Sequence, residues 1–405
     1  MILVHGVRQV SVFCQLDTLR RCMPSSIRKV LGELPITLDG TYERILQGVP
    51  KEKSQHAARL FQRMVAAHRR LRVEELAEIL AIDFGPSIAN LMEGWRPEIP
   101  EEAVLSTCSA LITIIEDEGS KFVQFSHFSV KEFLTSDRLQ TSDVGNICRY
   151  YIPLELAHTI FARACLTVIL QLGEDKDEVR FWALPLASYA TRNWLLHTLL
   201  EVVELRIQDS LIYLFDPQKP HFLPWISMQG GLSVYSTPSF EVQTEPDKVT
   251  PLYCATLCDF SRLVKHLILV HAEDVNTKCG QRKSPLHAAS CFGYVDSARV
   301  LLDHGADVNP PDFWDWTPLH FASEHGRLEV ARLLVDHGAN LNVGDQDHST
   351  PLYLASKIGH TEIVRLFLER GADVNTRGEH DLTPFRVATM YRRDEIVEVL
   401  LENGT

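Results

Sequence analysis

His127, the recurring pair His287 and His320, and the closely spaced Cys254 and Cys258 are the residues of this chain best placed to do chemistry. His127 lies in Phe125-Ser126-His127-Phe128-Ser129-Val130-Lys131-Glu132-Phe133, with Ser126, Ser129 and Glu132 around it. Cys254 and Cys258 stand one helical turn apart, a spacing that suits small apolar side chains packing on one face. The nine cysteines are odd in number, scattered and never paired as C-x-x-C, which predicts reduced, buried thiols and a cytoplasmic protein. There is no G-x-S-x-G, no H-E-x-x-H, no paired Cys/His metal spacing and no Gly-rich loop after a strand. None of the 12 lysines follows a glycine, so a phosphate-binding G-x-x-x-x-G-K-[ST] loop is absent from the sequence. The expectation is a protein that is not an enzyme, with no catalytic residue, cofactor or metal ligand.

A second group of residues points to recognition. Phe313, Trp314 and Trp316 put three aromatics into four positions. Gln346-Asp347-His348-Ser349 and Glu379-His380-Asp381-Leu382 follow at nearly constant intervals, and Gly280-Gln281-Arg282-Lys283 precedes them. Aromatics at a solvent-facing turn are costly unless something covers them, and Trp is enriched where partners bind. Phe313, Trp314, Trp316, Gln346, Asp347, His348, Glu379, His380 and Asp381 are therefore the expected partner-binding residues. The competing reading packs Trp316 on the adjacent turn and lays Trp314 over Pro310-Pro311. The acidic later segments, with two histidines, fit a basic or polar peptide.

The elements that position these residues are repeats. Thr250-Pro251-Leu252-Tyr253-Cys254-Ala255 recurs as Ser284-Pro285-Leu286-His287-Ala288-Ala289 and Thr317-Pro318-Leu319-His320-Phe321-Ala322. It returns twice more, as Thr350-Pro351-Leu352-Tyr353-Leu354-Ala355 and Thr383-Pro384-Phe385-Arg386-Val387-Ala388, in steps of 34, 33, 33 and 33 residues. Thr or Ser caps a helix and Pro opens it without losing a useful N–H. Gly293, Gly326 and Gly359 close that helix, and a second amphipathic helix follows, as in 328–334. This period and phrase are the signature of ankyrin repeats, each a turn plus two antiparallel helices. The histidines then bridge to the next turn, as that family implies. The recognition residues fall at the turn tips. The end units depart: Asp259 and Arg392 replace the closing glycine, an extra residue enters near Ala272-Glu273, and Phe385-Arg386 stand for Leu-His. The first unit reads as a cap or as a unit leaning on what precedes it, and the fifth as a cap or a cut edge.

Upstream, the pattern is helical with one hairpin. An amphipathic helix is predicted over 71–80, another over 101–110, strands at 111–115 and 122–125, and a helix over 129–134. Helices followed by a two-stranded wing describe a winged helix. Glu74, Glu75 and Glu78 on its early helix, an acidic wing and a net charge of −13 argue against nucleic acid. No uninterrupted apolar run reaches the roughly 18–20 residues of a membrane span, so no membrane partner is expected. The aromatics and histidines of 150–215, among them His158, stand at helical spacing and read as core. Seven prolines and glycines among polar residues mark 216–249 as a linker.

Several stretches are similar to fungal NACHT–ankyrin proteins, the NLR-like receptors of filamentous fungi. They are Cys14-Gln15-Leu16-Asp17-Thr18-Leu19-Arg20-Arg21-Cys22, Glu33-Leu34-Pro35, Leu38-Asp39-Gly40-Thr41-Tyr42-Glu43-Arg44-Ile45-Leu46, the His127 segment, and 215–222. The resemblance covers most of 14–222. It implies the part of a NACHT module that follows its nucleotide-binding core, with the ankyrin array as sensor. It also implies that His127 would touch an ADP phosphate, although this sequence has no P-loop to hold the nucleotide. The expected architecture is mainly α: a helical NACHT remnant (1–50), a winged-helix-like domain (51–140), a helical domain (141–215), a linker (216–249) and five ankyrin repeats (250–405). The expected function is non-catalytic binding of a protein partner at the turn tips and concave face. The alternatives are a fragment of a STAND signalling ATPase whose P-loop domain lies outside this chain, and a stand-alone ankyrin adaptor.

Overall fold

The structure is a computed structural model that describes residues 37–83, 90–91, 99–105, 110–142, 146–174, 184–228 and 249–404. The resembling stretches 14–22 and 33–35 fall outside these, as does most of the expected linker. The chain divides into two compact units, Met1–Ser210 and Leu211–Thr405, and each is taken by itself.

The first unit opens with α1 (Leu38–Gln47) and α2 (Lys51–Ala66). The Thr37 hydroxyl caps α1 by accepting the Gly40 N–H at 3.2 Å. After β1 (Leu71–Arg72) comes α3 (Val73–Leu80). A two-stranded sheet of β2 (Ile82–Asp83) and β3 (Asn90–Leu91) and then α4 (Pro100–Leu105) lead to the wing. The wing is β4 (Ile112–Asp117) paired antiparallel with β5 (Ser120–Phe125), with β1 on the other edge of β5. Its turn uses Glu118 and Gly119, both at positive φ (47° and 77°), a two-residue geometry that matches the strand twist. α5 (Phe128–Leu134) and α6 (Asp137–Gln140) follow. Phe61 of α2 packs against Phe125 and Tyr150, tying helix to wing. This is the expected winged helix, with the hairpin placed as the sequence predicts.

The carboxylates read from sequence as an acidic outer face need correction. Glu75 and Glu78 are buried. Glu75 accepts two hydrogen bonds from the Arg69 guanidinium, at 2.6 and 2.8 Å, and one from the Arg72 N–H. Glu78 accepts the Leu186 N–H at 2.6 Å. They hold the core together and do not set the potential of a nucleic-acid-facing surface.

α7 (Leu154–Glu174) and α8 (Ala187–His197) pair along their length, with Phe161 against Tyr189. The window Leu154–Gln171 is long and apolar enough to cross a membrane by length and composition. The sequence expectation missed it because Glu155 and Arg163 interrupt the apolar run. Most of that window is buried within the protein, as in the core helix of a globular unit.

α9 (Glu201–Phe215) runs into the second unit, and α10 (Phe222–Met228) lies within the stretch expected to be linker. Phe215, Phe222 and Trp225 form one aromatic cluster, and Phe215 meets Phe260 of the first repeat edge-on. His271 at the end of the repeat's second helix faces Asp216 at 3.9 Å. The first repeat leans on what precedes it.

The repeats supply helix pairs. The first helices are α11 (Pro251–Leu257), α13 (Pro285–Phe292), α15 (Pro318–Glu324), α17 (Pro351–Ile358) and α19 (Pro384–Met390). The second helices are α12 (Ser261–His271), α14 (Val295–Asp303), α16 (Leu328–Asp336), α18 (Thr361–Glu369) and α20 (Asp394–Glu402). First helices stack on first helices and second on second, forming the two layers of a solenoid. Side chains register the layers. Asn276 Oδ1 accepts the Asp307 N–H, Asn309 the Asn340 N–H and Asn342 the Asp373 N–H, each at 2.8–2.9 Å. Arg327 and His360 reach over Gly293 and Gly326 to donate to the Cys291 and Glu324 carbonyls.

Candidate functional site

The histidines of the repeated phrase are structural. The Nδ1 of His287 accepts the Ser284 N–H at 3.0 Å, so its Nε2 carries the proton and donates to the Trp316 carbonyl at 3.0 Å. His320 does the same between Thr317 and Ser349. Burial holds both neutral, lowering their pKa values to about 3 and about 4. Each imidazole thus fixes the end of the next repeat's turn, which carries the recognition residues.

Those turns are narrow hairpins. Asp312 N–H donates to the Trp316 carbonyl, Asp345 N–H to Ser349 and Gly378 N–H to Leu382. Asp315, His348 and Asp381 take positive φ at equivalent places. Neighbouring tips are stitched together where the Gln346 N–H donates to the Trp314 carbonyl and Gln346 Nε2 to the Phe313 carbonyl.

Between the first and second of these tips and the first helices lies a groove of about 450 Å³. Trp314, Trp316, Phe321, Leu354 and Ile358 form its apolar wall and floor. Around them stand the carboxylates of Asp312, Glu324, Asp345, Asp347 and Glu379, with Lys357 as the one lysine. Lys357 is already committed to Glu379 at 2.6 Å, an ion pair that lowers the Glu379 pKa. Glu324 Oε2 and Asp312 Oδ2 accept no hydrogen bond. Burial raises the Asp312 and Asp345 pKa values, outweighing the N–H donors that lower them. An apolar floor inside an acidic rim can take up an apolar side chain flanked by cationic groups.

The expected site residues separate into three groups. Trp314, Trp316, Gln346, Asp347 and Glu379 come together in the groove. His348, His380 and Asp381 line an adjoining cleft of about 540 Å³ at the tips, where Arg377 pairs with Asp381. Phe313 lies outside both, exposed and edge-on to Trp314. Trp314 is 41% exposed, and its ring faces the Lys283 ammonium at 5.8 Å. Trp316 is committed inside the fold: its Nε1 donates to Asp345 Oδ2 at 2.9 Å, and its ring packs on Phe321 and against Tyr353 and Leu354. Sequence reasoning missed Asp312, Phe321, Glu324, Asp345, Leu354, Lys357 and Ile358. Phe321 and Leu354 occupy the fifth position of the repeated phrase, where all five copies differ (Cys254, Ala288, Phe321, Leu354 and Val387), and that variation was the available signal.

His127 lies far from this site in sequence and is used locally. It is the N-cap of α5, with Nδ1 accepting the Ser129 N–H at 3.2 Å and 2.6 Å from Ser129 Oγ, which contacts Tyr42 OH.

Comparison with known proteins fits this division. Residues 236–312, 252–345 and 338–405 match the family of ankyrin repeats in three copies. Residues 42–144 match the family described as "GPI inositol-deacylase, winged helix domain". The chain is also 30% identical over 290 residues to "Azaphilone pigments biosynthesis cluster protein L" of Monascus ruber. That match covers 67% of this chain and 60% of the relative, so the chain spans less than two thirds of the relative's length. Residues 236–405 thus match the ankyrin repeats and residues 42–144 the winged-helix domains of the GPI inositol-deacylase type, a pairing consistent with the NACHT-like ankyrin architecture.

Proposed function

We propose that this protein is a non-catalytic, cytoplasmic interaction module whose ankyrin array binds a protein segment carrying an apolar anchor between basic residues. The observation that carries the reading is the groove itself, where exposed Trp314 and Ile358 stand over a floor of buried Phe321 and Leu354, among five carboxylates and one already paired lysine. An apolar anchor in a water-excluding pocket supplies affinity, and the acidic rim supplies rate and selectivity. The tip residues His348, His380 and Asp381 extend the contact along the chain of the ligand. The same arrangement serves as the sensor part of a receptor similar to the fungal NLR-like proteins, or as a stand-alone adaptor. The described cysteines Cys148, Cys165, Cys254 and Cys279 are free thiols, which supports a reducing compartment. The net charge of −13 favours cationic partners over nucleic acid.

Selection of displayed random peptides on the purified chain tests the proposal. Recovered sequences should place an aliphatic or aromatic residue beside Lys or Arg, and Leu354→Asp should weaken their binding at least about tenfold, by removing the anchor's floor. Peptides without that pattern, or with unchanged affinity for the variant, would overturn it.

A further inference from the structure

Three histidines from separate elements of the first unit converge on one point. His68 lies in the loop after α2, His158 on the first turns of α7 and His197 at the end of α8. One ring nitrogen from each lies within 4.8 Å of the other two. His158 and His197 face each other through Nδ1 at 3.0 Å. Two Nδ1 lone pairs at that distance need something between them, either a single proton or a cation. Two imidazole nitrogens on one tetrahedral zinc stand about 3.3 Å apart, so the spacing found is close to that of a shared metal.

The surroundings are those of held ligands. His197 Nε2 lies 2.9 Å from Tyr189 OH, and the same hydroxyl accepts the His68 backbone N–H at 3.1 Å. The buried phenol therefore orients the His197 imidazole, as the outer hydrogen-bond partners of metal-bound imidazoles do, and holds the His68 backbone beside it. Phe161 stacks on the His197 ring at 4.7 Å and fixes its plane. His197 is buried, His158 half-buried and His68 exposed, which leaves a route from solvent and room for a water as a further ligand. Burial depresses the pKa of all three, so the imidazoles are neutral and available at physiological pH. Lys131 and Arg69 are the nearby cations. Arg69 is neutralised by Glu75, while Lys131 opposes a second positive charge.

The geometry points to a divalent transition-metal site formed by His68, His158 and His197. Three imidazoles select the zinc, cobalt, nickel and copper group over magnesium or calcium. In the absence of metal, one proton bridges His158 and His197, and Tyr189 OH donates to His197 Nε2. When metal takes His197 Nδ1, the proton moves to Nε2, which donates to Tyr189, so the pair changes tautomer without net proton loss. The bound ion adds a link between the winged helix and the α7–α8 pair beside the bond from the His68 N–H to Tyr189 OH.

Titration of the full chain with Co²⁺ and Zn²⁺ tests this. Wild type should take up one equivalent more than His158→Gln or His68→Ala, with cobalt bands in the visible and no thiolate charge-transfer band from that equivalent. Tyr189→Phe should keep the site but lower its affinity by about tenfold or more. Circular dichroism of the metal-free variants guards against loss of fold, and His68→Ala, at an exposed position, keeps the test independent of core packing. Equal uptake by wild type and both histidine variants would overturn the assignment, as would a cobalt spectrum carrying thiolate bands or no uptake at all.

Discussion

Trp316 Nε1 donates to Asp345 Oδ2 at 2.9 Å, joining the tip of one ankyrin repeat to the base of the next. Asp345 Oδ1 meanwhile holds its own turn through the Asp347 and Ser349 N–H groups. One repeat earlier the same two places are filled by Lys283 and Asp312, where Asp312 Oδ1 accepts the Trp314 and Trp316 N–H groups. At the earlier junction Asp312 Oδ2 accepts no hydrogen bond, so the tip-to-base bond is made by the tryptophan, which commits Trp316 to structure.

The two tryptophans of the tip should therefore behave differently. Trp316→Ala removes the donor of Asp345 and part of the packing on Phe321, and should destabilise the array by about 2 kcal/mol. Trp314→Ala should change stability by about 0.5 kcal/mol or less yet abolish most peptide binding. Thermal unfolding and peptide affinity measured on both variants separate the roles.

A similar contrast holds at the turns that close the first helices. Gly326 has φ 68°, and a Cβ there would stand 2.6 Å from His360 Cε1. Gly326→Ala should cost about 1–3 kcal/mol, because both the backbone and the interlocking His360 must shift. Arg392 occupies the equivalent place in the fifth repeat at φ 55° and is exposed. Arg392→Gly should stabilise by about 0.5–1 kcal/mol by relieving the left-handed strain. Chemical denaturation of the two variants should move in opposite directions.

The repeat phrase made the solenoid legible because each residue in it acts locally: a hydroxyl cap, a proline, a glycine at positive φ. The wing was legible for the same reason, since alternating strands and a Glu-Gly turn are short-range signals. The groove was half legible. Its tips showed in the aromatic cluster at 313–316, but its floor is made by Phe321 and Leu354, whose partners come from another repeat. The histidine cluster left no local trace. His68, His158 and His197 meet only after three elements pack, and His158, whose helical spacing reads as core, is half-buried.

Acid should weaken the array through its buried histidines. His287 and His320 have pKa values lowered by burial from 6.5 to about 3 and about 4. Between those values and 6.5 the unfolded chain binds protons that the fold does not, so stability rises with pH across this window and falls on acidification. Asp259 opposes them: burial raises its pKa from 3.8 to about 6, so the fold takes up a proton first and gains stability as pH falls through that range. Two histidines against one aspartate leave a net loss toward pH 4. His287→Gln with His320→Gln should flatten the dependence of the unfolding temperature on pH between 6.5 and 4.5. Asp259→Asn should steepen it.

The buried carboxylates of α3 give the last test. Glu74, Glu75 and Glu78 look alike in sequence, yet Glu74 is exposed while Glu75 and Glu78 are enclosed. Glu75→Gln leaves the Arg69 guanidinium, itself partly exposed, without its charge partner, and keeps one acceptor for the Arg72 N–H. It should destabilise the first unit by about 2 kcal/mol, below the range for breaking a fully buried pair because Arg69 can reach water. Glu78→Ala strands the Leu186 N–H and opens a cavity, and should cost about 2–3 kcal/mol. Glu74→Gln should be neutral within about 0.5 kcal/mol. Hydrogen exchange at Arg72 and Leu186 reads the effect at its source: both amides should lose protection in their own variant, and neither should change in Glu74→Gln.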